Sequence, residues 1–400
     1  MKEILFLSPR LPFPIVGGDK LKAYNTIKYL AKKHKVTLVS FFQGEQNKMP
    51  EYIKELENIG IEVFVLPLSP ISAGISILPR IFKNIPLEVL YYTQKNFQKI
   101  VDELLHARKF DVIFSFFMRT AEYIKNSKIP KILMCEDCRT LYQKRSADNS
   151  KNLIQKIIRN WEYRKLLIYE PKIVDFFDVV TLVTHRDIAE MQKLNNKPYY
   201  ELLTNGVDIN KFVPGENNSR SKNTILFAGK LDVWANELMV QKIINNIFPI
   251  IQQKVPDVNL NIVGASPPSS IITLARSNNQ IRLIANVPDM LPHLQTATLF
   301  LHPHAGGSGI QNKLLEAMAA GCPVVTTSTG NQGIEAINGE SVLLGRNNEE
   351  LAEHAINLLL DNNLAEKISA NARKLIVDTH SWDAVLSATD KIFDYLDEIF

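Results

Sequence analysis

Cysteine is scarce: Cys135, Cys138 and Cys322 are the three in 400 residues. That is too few for a disulfide framework in a chain of this size, so a reducing, cytoplasmic setting is expected. Cys135 and Cys138 form a C-x-x-C pair, but a zinc site needs two further ligands and none stands at a suitable spacing. Long apolar runs are lacking too, and no segment approaches the ~20 residues that span a bilayer. Ahead of the strand-like stretch Ile4 to Ser8 stands a single Lys2, without the charged start, apolar core or cleavage site of a secretory signal. Any membrane contact is therefore expected to be peripheral. Strong charge of one sign is also missing, with a net +4, which excludes nucleic acid as the main partner. No Asp-x-Asp pair, internal repeat or low-complexity tract occurs.

What is present is core-forming material, 46% hydrophobic residues, in a chain long enough for two domains. Short β-branched and aromatic runs alternate with helical periodicity, the pattern of parallel sheets joined by crossover helices. Strands are expected at Ile4 to Ser8, Val36 to Phe42, Ile61 to Leu66, Val112 to Phe116, Ile132 to Cys135, Val179 to Val183 and near Leu202. A second set is expected at Thr224 to Ala228, Leu260 to Val263, Ile281 to Ile284, Leu299 to Leu301, Val324 to Thr326 and Ser341 to Leu344. Each set makes a doubly wound, Rossmann-like α/β domain. The turn signal Asn205-Gly206 and the polar tract Pro214 to Asn223 mark the junction. The expected division is 1–205, 206–378 and a C-terminal helix, 379–400, packing across both domains. Ligands are expected in a cleft between the carboxyl ends of the two sheets.

The chemistry is concentrated between His302 and Thr326. A strand runs into a turn with Gly306, Gly307 and Gly309, then into a helix beginning near Gln311 or Asn312. Glycines let the backbone approach a phosphate, and the amides of a helix start carry partial positive charge. Lys313 adds a full charge in the first turn. Glu316, close to one turn further on, can accept two hydrogen bonds from a ribose diol. Nucleoside-diphosphate binding explains the combination better than a tight turn beside a solvated glutamate.

The run Asn312-Lys-Leu-Leu-Glu-Ala-Met-Ala-Ala-Gly-Cys-Pro-Val-Val-Thr326 resembles the signature of the family 4 retaining glycosyltransferases. Asn205-Gly-Val-Asp208 with Phe212 and Pro214 looks like that family's interdomain segment, and Ile262-Val-Gly264 like its strand ending in glycine. Phe227-Ala-Gly-Lys-Leu231 resembles the strand end whose cation meets the donor pyrophosphate, with Lys230 at that position. Val287-Pro-Asp289 falls where the family contacts the donor base. Pro12 to Lys22 looks like its N-terminal glycine-rich loop, with Gly17 and Gly18 facing donor phosphates or acceptor. Gly-Asp-Lys at 18–20 and the run from Gly309 to Ala319 are closer to bacterial sugar transferases of exopolysaccharide gene clusters.

The resemblance implies a GT-B fold and hexosyl transfer from a UDP- or GDP-linked sugar to a saccharide or lipid-linked acceptor, with retention, no cofactor and no metal. It assigns catalytic roles to Glu316, Lys230 and Lys313. Donor contacts would come from Gly17, Gly18, Asn236, Val287, Gly307, Ser308, Gly309, Ile310, Asn312, Leu315 and Glu316. Three departures stand out. Ser308 replaces the family's first acid. No histidine follows the strand before Arg119, where Ser115, Arg119 and Glu122 stand instead. Trp234-Ala235-Asn236 replaces the usual Lys-Gly, leaving Asn236 to donate to phosphate or to cap the next helix. A non-catalytic GT-B protein that binds nucleotide sugar or a partner is the alternative.

On the acceptor side, Pro79 to Tyr92 and the basic stretch from Lys151 to Lys172 mix apolar and cationic residues. They fit docking of a lipid-linked acceptor at an anionic membrane surface. They equally fit ordinary amphipathic elements with Lys and Arg on the solvated face.

Overall fold

The computed structural model describes residues 1–15, 17–150, 152–216, 220–304 and 309–400. Its chain divides into two units, Met1–Thr204 with Leu386–Phe400, and Asn205–Val385. The expected division fell at 205/206 and 378/379; in the structure Asn205 and residues 379–385 belong to the second unit, and Leu386–Phe400 to the first.

The first unit holds seven strands: β1 (Glu3–Ser8), β2 (Lys35–Phe42), β3 (Glu62–Pro67), β4 (Val112–Phe116), β5 (Lys131–Glu136), β6 (Val179–Leu182) and β7 (Tyr199–Leu202). Their order is β3-β2-β1-β4-β5-β6-β7, and every neighbouring pair is parallel. A parallel sheet covered on both faces needs strands apolar throughout. β4 is buried at all its positions, and its one polar side chain, Ser115, is satisfied by the Thr120 hydroxyl at 2.8 Å. Phe97, Val101, Leu166 and Ile173 from the helices close over Leu5, Ile113, Leu133 and Val180 of the sheet.

In place of the C-terminal helix expected over 379–400, the helix Asn362–His380 ends and two more follow, Trp382–Leu386 and Ala388–Ile399. The second packs on the first unit's sheet. Phe393 meets the edge of Phe114 at 6.1 Å and His34 at 5.1 Å, Tyr395 stacks on Tyr199 at 4.3 Å, and Asp390 pairs with Lys33 at 2.9 Å.

The second unit holds β8 (Thr224–Ala228), β9 (Asn259–Gly264), β10 (Ile281–Ala285), β11 (Leu299–His302), β12 (Val324–Thr326) and β13 (Leu343–Leu344) in the order β10-β9-β8-β11-β12-β13. All pairs are again parallel. β13 starts later than expected because Ser341 and Val342 close a small turn, with the Ile337 amide donating to Ser341 Oγ at 3.0 Å and Val342 bridging Asn338. Asn205-Gly206 is not a turn. Val207 pairs with Ser381, its amide donating to the His380 carbonyl at 2.8 Å. A Cβ at Gly206 would lie 2.7 Å from the Trp382 ring, so this glycine answers to a distant ring. The switch point of the sheet, where strand order reverses, lies between β8 and β11, and ligands of such folds bind at the carboxyl ends there.

Candidate functional site

At the end of β8 the chain turns at Gly229 and Lys230, beside the end of β9. A Cβ on Gly264 would sit 1.8 Å from the Gly229 carbonyl oxygen, and one on Gly229 would sit 2.8 Å from the Lys313 ammonium. Both glycines are there so that backbone and a lysine can converge. The Lys313 ammonium donates to Asn236 Oδ1 at 2.7 Å and lies 5.5 Å from the centre of the Phe227 ring. Asn236, itself buried, donates through Nδ2 to the Lys230 carbonyl at 2.8 Å. It does not cap the helix Trp234–Lys242, whose N-cap is Val233 and has no side-chain cap; its amide ties Lys230 to Lys313 instead. The Lys230 side chain is exposed, with Asp232 at 3.4 Å.

Lys313 and Glu316 belong to the helix Asn312–Ala319, which follows Gly309 in the left-handed region (φ 73°) and whose start carries no side-chain cap. The Asn312 side-chain oxygen accepts from Asn205 at 2.8 Å. Burial lowers the Lys313 ammonium to about 8 against the pull of Glu316. Burial raises the Glu316 carboxyl to about 7, opposed by Lys211 and Lys313 and assisted by Asp289. Among the described residues no donor reaches the Glu316 carboxylate within hydrogen-bond distance. The site thus holds an amine and an acid strained in opposite senses, each of which a ligand of opposite character relieves.

Ile310 is buried beside this start, while Leu315 is fully buried. The Leu315 side chain therefore packs the helix against the core. Val287, half-buried, follows β10 and Asn286, which has φ 55°. Gly306, Gly307 and Ser308 lie outside the described residues.

Three neighbours carried no role in the sequence reading. Lys211 is close enough to Glu316 to lower its pKa and lies 3.9 Å from Asp289. His302 ends β11 fully buried, stacked on His304 at 5.2 Å, and among the described residues its Nε2 has no hydrogen-bond partner. Burial, Lys313 and His304 drive its pKa well below the usual value, so it stays neutral. The His-Pro-His at a strand end was a visible signal; the proximity of Lys211 was not.

In the first unit, Gly17 takes φ 96° as N-cap of the helix Gly18–Ala31, and both glycines are exposed. Asp19 in its first turn pairs with Arg10 at 3.1 Å. Behind them Lys22 is fully buried, donating to the Leu203 carbonyl at 2.5 Å and pairing with Glu136 at 3.0 Å. Ser115, Arg119 and Glu122 are committed internally. Arg119 and Arg139 share Glu88, each at 3.0 Å. Burial pushes Glu88 up, yet the two guanidinium groups hold it down at about 2. Glu122 accepts from Tyr169 and Lys125, each at 2.9 Å. Cys135 and Cys138 are buried, and burial pushes both thiols up, away from the thiolate that metal or redox chemistry uses.

The whole chain has the GT-B fold of two parallel-sheet, Rossmann-like domains. It is similar to Anabaena HepE, solved in complex with UDP and glucose, at TM-score 0.70 and 14% identity over 99% of this chain and 100% of that one. It is likewise similar to sucrose-phosphate synthase from Thermosynechococcus elongatus, at TM-score 0.73 and 16% identity over 100% of both. Residues 222–361, within the second unit, match the family model described as "Glycosyl transferases group 1". An uncharacterized 44.6 kDa protein in the cps region of Klebsiella pneumoniae is 22% identical over 98% of this chain and 100% of its own length. The phosphatidyl-myo-inositol mannosyltransferase of Mycobacterium tuberculosis is 30% identical over 131 residues, 31% of this chain and 34% of that protein.

Proposed function

We propose that this chain is a family 4, retaining glycosyltransferase. It transfers a hexosyl group from a UDP- or GDP-linked sugar to a saccharide or lipid-linked acceptor, without metal, in the cytoplasm and with a peripheral contact at the inner face of the membrane. The observation that carries the reading is the convergence, at the switch point of the second sheet, of the Lys313 ammonium, the start of the helix Asn312–Ala319, which has no side-chain cap, and the Glu316 carboxylate, to which no described residue donates. A pyrophosphate fits the cation and the amides, and a ribose diol fits the carboxylate. When the bond from the anomeric carbon to the pyrophosphate breaks, its electron pair goes to the phosphate oxygen. Lys313, Lys230 and the amides stabilise that charge. The acceptor oxygen bonds to the same face of the carbon, and its proton passes to the departing phosphate oxygen. The likeness to a protein solved with UDP and glucose, and to one from a cps region, supports the donor class and a role in polysaccharide synthesis.

The test is thermal shift with a panel of nucleoside-diphosphate sugars in chelator, followed by transfer assays and the anomeric configuration of the product. Stabilisation by one nucleotide class, lost in Lys313→Ala and Glu316→Ala, is expected. Stabilisation by none of the panel overturns the reading. Binding without turnover on any acceptor moves the protein to the non-catalytic alternative.

A further inference from the structure

We infer that the first unit docks on an anionic bilayer through two adjoining segments, Ile71 to Lys83 and Leu153 to Ile168. The clue is a concentration of large, exposed apolar side chains. Ile71 (76% exposed), Ile75 (61%), Leu78 (65%) and Phe82 (93%) follow one another on the first segment. Their spacing of four, three and four residues is that of one face of a helical stretch, and most of the segment is the helix Pro70–Ile77 with the turn after it. Leu153 (72%), Ile154 (68%), Ile157 (61%) and Ile158 (50%) open the helix Leu153–Val174.

That helix has two different faces. Its core face runs through Glu162, Leu166, Tyr169 and Ile173. A second stripe, Ile154, Ile157, Trp161 and Ile168, recurs every three, four and seven residues around the cylinder. Its isoleucines are exposed and Trp161 is half-buried.

The two segments are fastened together. The Lys165 ammonium donates to the Ile81 carbonyl at 2.7 Å, and Glu162 accepts from the Leu87 amide at 2.8 Å. At a rise of about 1.5 Å per residue, Ile158 stands about one turn from Glu162, so Phe82 and the isoleucines of the long helix share one region. Isolated exposed apolar residues are ordinary, but a cluster of this kind marks an interaction surface.

Charge selects the occupant. Between Pro70 and Leu87 stand Arg80 and Lys83 and no acid, and between Asn152 and Ile168 stand Lys156, Arg159, Arg164 and Lys165 against Glu162 alone. Glu162 is buried, whereas Lys83, Lys156 and Arg164 are exposed. An apolar cluster ringed by cations, with no exposed acid, complements acyl chains beneath negative headgroups. A soluble partner protein or a second copy would leave the uniform positive sign unexplained. Among the described residues no helix is long and apolar enough to cross a membrane, so this contact is with the surface. It deepens the membrane contact proposed above without resting on the donor chemistry.

The experiment is flotation of the full chain with vesicles of phosphatidylcholine alone or mixed with phosphatidylglycerol. Variants are Phe82→Ser with Ile157→Ser, and Lys156→Glu with Arg164→Glu; all four positions are exposed or nearly so, and melting curves check the fold. Binding to the mixed vesicles, weakened by salt and lowered at least about tenfold by either pair, is expected, since each cation near such a surface contributes about 1 kcal/mol. No flotation with mixed vesicles overturns the inference. So does binding unchanged by both pairs, or a solution dimer that Phe82→Ser with Ile157→Ser dissociates. Donor stabilisation, read in the same preparations, reports separately on the transferase reading.

Discussion

Asn236 is the residue through which the second unit fixes its two lysines, and its substitution separates stability from ligand binding. Asn236→Ala removes the acceptor that Lys313 Nζ holds at 2.7 Å and the donor to the Lys230 carbonyl at 2.8 Å. A hydrogen bond to a charged group contributes about 1.5–3 kcal/mol. Lys313 is half-buried and regains some water, so the expected loss is about 1–2 kcal/mol. In a unit of this size that lowers the melting temperature by roughly 2–8 °C. Donor affinity should fall at least about tenfold, because both cations lose their aim. Asn236→Asp is the informative companion. It keeps an acceptor for Lys313 and adds an ion pair, but it loses the Nδ2 donor and turns a carboxylate oxygen toward the Lys230 carbonyl, so the melting temperature falls no further than in Asn236→Ala, while the new negative charge beside the pyrophosphate position still weakens binding. Thermal melts and calorimetric titration with UDP and GDP read the two quantities independently. Asn236→Ala with unchanged melting and unchanged affinity would refute the clamp, and Asn236→Asp with native affinity would refute the pyrophosphate position.

The lowered Lys313 pKa of about 8 means that the free protein loses this charge as pH rises through about 8. Donor affinity should weaken there, and Lys313→Ala should flatten that pH profile. Glu316, raised to about 7, binds its proton more tightly folded than unfolded, so it erodes stability as pH rises from about 4.5 to about 7. Glu316→Gln should therefore melt higher than the native chain at pH 8, by a margin that shrinks as the pH falls toward 4.5, while binding donor more weakly. Gly264→Ala places a Cβ 1.8 Å from the Gly229 oxygen and should cost at least about 1–3 kcal/mol, measured by denaturant unfolding. Phe393→Ala empties a buried site against Phe114 and His34 and should cost about 3–5 kcal/mol, with earlier proteolysis of the first unit as the readout.

The strands were legible because parallel strands covered on both faces read as continuous apolar runs; β4 and β8 are buried end to end. The helix start at Asn312 was legible from its glycine and its periodicity. What local reading missed depends on partners far along the chain. Asn205-Gly206 carries a turn signal, but its glycine serves Trp382 and its neighbour Val207 pairs with Ser381. Asn236 reads from the sequence as a possible helix cap, yet it lies inside the helix and its partner Lys313 is 77 residues away. Lys211 reaches the environment of Glu316 only through the fold.

The placement of Leu386–Phe400 with Met1–Thr204 makes the second unit an insertion within the first, and this imposes a timetable on synthesis. At about 5–20 residues per second, Leu386 leaves the ribosome roughly 10–40 s after Thr204. Throughout that interval Phe114 of the nascent first unit's sheet and His34 beside it lack their cover, Phe393. The second unit has all its strands in hand before the first is closed, so the domain begun first is finished last. An incompletely translated chain would carry a closed second unit attached to an open first one, a state that chaperones and proteases can distinguish from the finished protein.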